Sequence, residues 1–290
     1  MLFCVTSLIF AEVQIAFAAN SEWIRLTPKA VVPESFRFSG RQVPCQKWMR
    51  NAALENPRCI DGLQLWLDAN DAATVFEATD NPAEVGDTVA EWWDKSGNNN
   101  HVTEATNKPL WSQTGALTGY ANKIVNFDGS NDRLRNLAAV GLDAHATFTF
   151  FIVHNRTLSS SNRDPIETAS GTTNIWRERL RSTTVDVALS ATIGGVAEIG
   201  SRSWGNLNTF YVRKTTYDGA NMRYYYLGTN DTDAAAGSLV DGQTVTLTLG
   251  DTAGAAAFAG SIAEIIFYDH MLSATEISAI EAYLLRKWGV

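Results

Sequence analysis

From residue 63 to residue 268 the chain is a succession of short β-rich runs, each closed by a turn signal. Residues 244–249 (TVTLTL) are the plainest case, with Val245, Leu247 and Leu249 alternating with threonines. Side chains of an extended strand point to opposite faces with a period of two, so this run has one apolar face and one polar face. Residues 63–67 (LQLWL), 147–154 (TFTFFIVH), 183–189 (TTVDVAL), 209–217 (TFYVRKTTY), 222–227 (MRYYYL) and 262–268 (IAEIIFY) share the enrichment in β-branched and aromatic residues. Gly194-Gly195, Asp218-Gly219, Gly228-Thr-Asn-Asp231 and Asp241-Gly242 punctuate them. Glycine supplies positive φ and Asp or Asn supplies a side-chain turn, so each cluster reverses the chain. Many short strands joined by polar turns predict an all-β, antiparallel β-sandwich.

One helix is expected, at the C-terminus. Ser273-Ala-Thr-Glu276 has the spacing of a capping box. Ile277, Ile280, Leu284 and Trp288 then recur three and four residues apart, and Gly289 ends the stripe. Such a helix is amphipathic and buries one side against the sandwich.

The N-terminal part reads differently. Residues 1–19 are apolar with one charge, Glu12, and Ala16-Phe17-Ala18 is a small-x-small cleavage pattern. No Lys or Arg precedes Arg25, which a secretory signal would carry in its n-region. Two readings stand: a removed signal peptide, or a retained apolar arm docking on a neighbouring subunit. The stretch is too short for a membrane span. Residues 20–59 hold Pro28, Pro33, Pro44 and Pro57 of the chain's 7 prolines, so they are expected to form an irregular arm. Cys45 and Cys59 are a disulfide candidate once Cys4 is set aside with the apolar segment; two reduced thiols are the alternative. The domain proper is expected at residues 60–290. A hydrophobic fraction of 45% over 290 residues is enough for a real core. The net charge of −8, from 23 basic and 31 acidic residues, excludes an ordinary nucleic-acid binder.

Several ordered landmarks carry a family likeness. They are Gly62-Leu-Gln-Leu-Trp-Leu-Asp-Ala69, Trp92-Trp-Asp-Lys-Ser-Gly-Asn-Asn-Asn-His101, Asn107-Lys-Pro109, Val125-Asn-Phe-Asp-Gly-Ser-Asn-Asp132, and Ala263-Glu-Ile-Ile-Phe-Tyr268 with the helix after it. Together they resemble the laminin G-like, concanavalin A-like jelly-roll domains of bacterial surface proteins and phage virion proteins. The resemblance covers roughly residues 60–290. It implies a jelly roll placed outside the cell or on a virion surface. There it would serve as a non-catalytic recognition, adhesion or assembly module binding glycan or a protein surface. A homo-oligomer, or virion and filament subunits, would be engaged through the N-terminal arm.

Candidate site residues follow. Asp94, Asn98 and Asn100 offer hard oxygens on one loop, and the resemblance raises calcium there. Asp128, Asn131 and Asp132 form a second such cluster. Both segments also have the composition of turns whose side chains bond nearby backbone. Trp111, Trp176, Trp204, Tyr217, Tyr224 and Tyr226 are candidates for a glycan-stacking platform, against the commoner fate of aromatics in a core. Arg177, Arg179 and Arg181 alternate on one run and could meet carboxylates, or form a solvated face. Trp66, Trp92 and Trp288 are expected in the core.

Catalytic signatures are absent from the sequence. There is no Glu-x-Asp-x-x-Glu run, no HExxH among His101, His145, His154 and His270, no Gly-x-Ser-x-Gly elbow and no phosphate loop. The alternative, a secreted glycan-cleaving enzyme of the concanavalin A-like fold, would need distant carboxylates to meet in a groove.

Overall fold

The structure, a computed structural model, describes residues 56–114, 122–139, 141–142, 147–157, 163–170, 173–180, 186–190, 199–203, 207–219, 222–226, 229–232, 245–250 and 257–290. Contacts divide the chain into Met1–Pro44 and Cys45–Val290, and all described residues belong to the second unit. Residues 1–19, Cys45 and the arm as far as residue 55 lie outside the described residues.

In chain order the strands are β1 (Leu63–Asp68), β2 (Val75–Ala78), β3 (Asn81–Pro82), β4 (Glu91–Trp92), β5 (Val102–Thr103), β6 (Leu110–Thr114), β7 (Asn122–Asp128), β8 (Arg133–Ala139) and β9 (Phe148–Arg156). They continue with β10 (Arg163–Ser170), β11 (Thr173–Leu180), β12 (Asp186–Ser190), β13 (Ile199–Ser203), β14 (Tyr211–Tyr217), β15 (Met222–Tyr226), β16 (Thr229–Thr232), β17 (Val245–Gly250) and β18 (Ala259–Tyr268). The helix α1 (Ala274–Trp288) closes the chain.

Two sheets form the sandwich. An 8-stranded sheet runs β16-β15-β14-β9-β18-β7-β6, with β1 also paired to β18. A 10-stranded sheet runs β13-β12-β11-β10-β17-β8-β5-β4-β2-β3. Every named ladder is antiparallel, as the sequence predicts. Strand β18 is the spine of the smaller sheet. It pairs with β9 along one edge, and on its other edge with β7 at Ala259–Ile262 and β1 at Glu264–Tyr268.

The central strands β9, β14 and β18 of the smaller sheet are buried on both faces. Leu65, Leu67, Phe150, Ile152, Ile265 and Phe267 point between the sheets, against Val75, Trp92, Val102, Leu134, Ile166, Leu247 and Leu249 of the larger sheet. On the far side Trp66, Phe151, Val153, Val212, Ala263 and Ile266 meet Ile280, Leu284 and Trp288 of α1. This is why residues 147–154 read as a continuous apolar run: a strand covered on both faces has no solvent side to mark with polar residues. Strand β17, whose threonines are half-buried, keeps its alternation.

The helix forms as its sequence directs. Ser273 caps it, with Glu276 bonding back to the Ser273 amide. Gly289 takes the left-handed conformation at φ 65° and donates to the Leu285 carbonyl. Arg286 and Lys287 lie in the last turn, where cations offset the helix dipole. The helix is tied to the sheet by a buried carboxylate. Glu264, 0% exposed, accepts from Trp66 Nε1 at 2.7 Å, Tyr283 Oη at 2.8 Å, Lys287 Nζ at 2.7 Å and Trp288 Nε1 at 2.6 Å.

Candidate functional site

The outer face of the larger sheet has a different character. Its inward residues Trp92, Val102, Leu134 and Ile166 are fully buried, so alternation sends their strand neighbours outward. Glu91, Trp93, His101, Arg135, Thr246 and Thr248 are half-buried there, and Thr103 and Leu137 are exposed. Register aligns them. Glu91 lies opposite Thr103, Thr103 opposite Arg135, Arg135 opposite Thr248, and Thr248 opposite Glu167, which is buried and in turn lies opposite Arg177 of β11. A polar row therefore crosses four strands, from β4 to β17.

An open cleft of about 380 Å³ sits at one end of this row. Thr79, Glu91, Thr103, Glu104 and Lys108 line it, with alanine side chains between them. Glu91 accepts from Thr79 Oγ1 at 3.1 Å and from Trp93 Nε1 at 2.9 Å. The Trp93 ring is flanked by Phe76 of β2, with centroids 4.4 Å apart, and by His101, just before β5, at 5.3 Å and 17° between planes. His101 Nδ1 accepts the Asp94 amide at 2.9 Å, which leaves its proton on Nε2. The three rings make a ladder that stiffens this end of the face.

Glu104 is the anchor of the cleft. Its Oε1 accepts the amides of Ala105 and Thr106 at 3.2 and 3.1 Å, and its Oε2 accepts Arg133 Nε at 2.7 Å with Arg135 Nη2 at 3.3 Å. Burial works against ionisation here. The Arg133 hydrogen bond, the Thr106 and Asn107 amides and the Arg133 charge outweigh it and hold the carboxyl down at about 2. A carboxylate so held neither donates a proton near neutral pH nor has a lone pair free for attack.

The sequence candidates fall out variously. Trp111 is corrected: it is 1% exposed, part of the inter-sheet core, and its Nε1 donates to the Ala69 carbonyl at 2.9 Å. A ring enclosed by its own core offers no face to a sugar. Tyr217 is likewise buried, against Phe148. Trp176 lies in β11 opposite Thr168, and Tyr224 and Tyr226 lie in β15 opposite Thr215 and Arg213. The side chains of Trp176, Tyr224, Tyr226, Arg177 and Arg179, and the whole of Trp204 and Arg181, lie outside the described residues. Trp66, Trp92 and Trp288 are core residues as expected. Cys59 is disulfide-bonded.

The loop proposed for calcium is occupied by its own backbone. Asp94 Oδ1 accepts the amides of Trp66 and Ser96 at 2.9 and 2.8 Å, and Oδ2 accepts Ser96 Oγ at 2.6 Å and the Asn100 amide at 3.0 Å. Asn98 and Asn100 turn their amino groups to the carbonyls of Leu63 and Gln64, both at 2.9 Å. With its carboxylate engaged and its amides donating, this set does not fit a hard cation. Residues 128–132 are also a turn, carrying the chain from β7 in one sheet to β8 in the other. Asp128 Oδ1 accepts the Ser130 and Asn131 amides at 2.7 and 3.3 Å, and Asp132 Oδ2 accepts the Asp128 amide at 2.9 Å. Burial, with the Asp128 charge adding to it, raises the Asp132 carboxyl above its ordinary value. Gly129 stands at φ +81°, where an added Cβ would sit 2.5 Å from the Ala259 Cβ.

A second polar group is interior. His154 and Arg156 of β9, Arg213 of β14 and Glu178 of β11 are all 2% exposed or less. His154 Nε2 stands 3.0 Å from Glu178 Oε1, with Arg213 Nη1 at 3.9 Å from the same oxygen. These polar side chains bridge the two sheets inside the sandwich.

Sequence reasoning passed over Glu91, Trp93, Thr103 and Arg135. The signal was present in Glu91-Trp92-Trp93, because a core Trp92 on a strand sends both neighbours to the opposite face.

No protein-family model matches the chain. No curated protein matches it. Solved structures share its fold. It is similar to a Trypanosoma rangeli sialidase in complex with a difluoro-nononic acid sugar, with TM-score 0.51 and 11% identity over 79% of this chain and 33% of that one. It is similar to the binding domain of botulinum neurotoxin DC in complex with SialylT, at 0.51 and 11% over 77% of this chain and 51% of that one. It is also similar to domain 4 of an extracellular arabinanase from Geobacillus stearothermophilus in complex with arabinotriose, at 0.51 and 11% over 76% of this chain and 97% of that one. The chain thus spans a third of the sialidase, half of the neurotoxin binding domain, and nearly all of the arabinanase domain. At these identities the likeness is one of fold.

Proposed function

We propose that this chain is a non-catalytic recognition module that binds glycan on the outer face of its larger sheet. The observation that carries the reading is the polar row Glu91–Thr103–Arg135–Thr248, exposed or half-buried on four adjacent strands beside a cleft. Carboxylate, hydroxyl and guanidinium groups in sequence give acceptors and donors at strand spacing, which suits a ligand dense in hydroxyls. The core of a protein–protein interface is instead apolar and depleted in charge, and Leu137 is the one exposed large hydrophobic on these strands among the described residues. Support also comes from neighbours with the same fold: the arabinanase domain was seen with arabinotriose and the neurotoxin binding domain with SialylT.

The hydrolase alternative has one point in its favour, since Glu91 and Glu104 line the same cleft. Glu104 is spent on Arg133, Arg135 and three backbone amides, so it is unsuited to act as acid or nucleophile. The Cys59 disulfide agrees with an oxidising compartment and hence with a place outside the cell. In this reading residues 1–19 are a signal peptide or a docking arm, residues 20–59 are a Pro-containing arm, and a virion or secreted setting accommodates the domain equally.

A glycan array probed with the full chain tests the proposal. At least one glycan should bind, and the double variant Thr103→Val and Thr248→Val should weaken it without altering the circular dichroism spectrum. No bound glycan at high protein concentration, or undiminished binding by a folded double variant, overturns it.

A further inference from the structure

The cleft at the β4 end of the row holds one carboxylate with acceptor capacity in reserve and the means to aim it. Glu91 Oε1 accepts from Thr79 Oγ1 at 3.1 Å, and Oε2 accepts from Trp93 Nε1 at 2.9 Å. A carboxylate has about four lone-pair sites, so each oxygen keeps one for a ligand. The Glu91 side chain is also fixed in place. Trp93 is packed between Phe76, with centroids 4.4 Å apart, and His101 at 5.3 Å, while Thr79 holds the other oxygen. Glu104, the second acid of the cleft, is unlike it: Arg133, Arg135 and backbone amides take both of its oxygens. Donors complete the cleft. Thr103 lies opposite Glu91 across the β4–β5 pair. Lys108 gives one of its three ammonium protons to the Glu77 carbonyl at 3.1 Å, which leaves two. Ala78, Ala90 and Ala105 supply apolar wall between these polar groups.

We infer that Glu91 is the specificity-determining residue of the cleft, accepting one hydrogen bond at each oxygen from two neighbouring hydroxyls of a sugar ring; the inference rests on the glycan-binding reading above. A vicinal diol is the feature of a sugar that a fixed carboxylate reads best. Its two hydroxyls sit on adjacent carbons and reach both oxygens at once, whereas an isolated hydroxyl reaches one. Bonds to an ionised acceptor are roughly twice as strong as neutral ones. A carboxylate only accepts, so it selects free hydroxyls and rejects the same positions when they carry a glycosidic link or a methyl group. The diol oxygens can in turn accept from Lys108 and Thr103, which supply the protons that Glu91 lacks. The alanines suit the C–H side of the ring, which has no hydrogen bonds to lose. The cleft volume of about 380 Å³ is near the lower end of the ~300–1,000 Å³ usual for small-ligand sites. It takes one or two sugar units, with the remainder of the glycan running out along the row.

The experiment is a glycan array printed in duplicate. Each glycan is present intact, and again after mild periodate oxidation and borohydride reduction, which cleaves the bond between carbons carrying free neighbouring hydroxyls and leaves other rings whole. The full chain and its Glu91→Gln variant are applied to both sets. The variant should fold as the wild type does, because its amide oxygen still accepts Trp93 Nε1 and its amino group can donate to Thr79 Oγ1; circular dichroism and the urea midpoint check this. We expect every glycan bound by the wild type to carry a free vicinal diol and to lose about tenfold or more in binding when oxidised. Glu91→Gln should weaken binding of the intact form about 12- to 160-fold, the worth of one hydrogen bond to a charged group. In that variant the penalty of oxidation should shrink, since each change removes the other's partner. Equal binding of intact and oxidised glycans, or undiminished binding by folded Glu91→Gln, overturns the role of Glu91 and leaves the glycan reading, which the threonine pair tests, standing. The comparison of intact with oxidised glycans uses the wild type alone, so it decides even where the variant misfolds. Failure of every intact glycan to bind overturns the glycan reading together with this one.

Discussion

Glu264→Leu is the substitution that most directly probes how the helix is held on the sandwich. The leucine fills nearly the same volume, so the packing loss is small and the polar loss can be read separately. The Glu264 carboxylate is the acceptor for two buried indoles, Trp66 Nε1 at 2.7 Å and Trp288 Nε1 at 2.6 Å. These rings are 7% and 0% exposed, so water cannot take the place of the lost acceptor. An orphaned buried donor costs about 1–3 kcal/mol, which gives about 2–6 kcal/mol for the pair. Tyr283 and Lys287 are half-buried and suffer less; Lys287 keeps its ion pair to Asp68 at 2.7 Å. Relief from holding a carboxylate out of water offsets part of the loss. The net expectation is about 3–5 kcal/mol, the usual result of breaking a buried charged pair. That is a large share of the total stability of a domain. Urea unfolding followed by tryptophan fluorescence and far-ultraviolet circular dichroism measures it. Glu264→Gln keeps one acceptor oxygen and should lose about half as much. A loss under about 1 kcal/mol for Glu264→Leu would mean that apolar packing alone fixes the helix, and the argument from the four donors would fail.

Two further predictions follow from the same kind of accounting. Asp94→Ala removes the acceptor for the buried amides of Trp66 and Asn100 and should lower stability by about 2–4 kcal/mol, with calcium and chelator giving the wild type the same melting temperature; a calcium-dependent rise abolished by Asp94→Ala would restore the metal reading. His154 is wholly buried, and burial holds its imidazolium below the ordinary 6.5, with Glu178 opposing and Arg213 and Arg156 adding to the effect. The unfolded chain therefore takes up this proton first, so stability is full above pH 6.5 and falls below it by up to about 1.4 kcal/mol per pH unit until the folded state protonates. Urea midpoints on either side of pH 6.5 should show that slope in the wild type and lose it in His154→Gln; parallel curves would sink the reasoning. Glu104, held at about 2, adds its own loss only as pH falls below its ordinary 4.5.

What could be read from the sequence depended on how each segment's environment repeats. Strands β9, β14, β17 and β18 were legible because their side chains alternate, or are uniformly apolar, over five or more residues. The helix was legible because Ser273, Glu276 and Gly289 mark its ends by local chemistry. Strands β3, β4 and β5 were not, because two residues carry no period. Their existence is imposed by neighbours: β4 is a strand because Trp92 and Glu91 pair with Val75 and Phe76 on one side and with Val102 and Thr103 on the other. The same fact hid the candidate site. Composition marks a dense cluster such as Asp94–Asn100 as a ligand set, but density in sequence here means a loop satisfying its own backbone. The row Glu91–Thr103–Arg135–Thr248 draws its members from four separate strands, and no local window contains two of them. A binding face on a sheet runs across the strands and at right angles to the chain. A reading along the chain meets it one residue at a time, and each residue in isolation looks like ordinary polar surface.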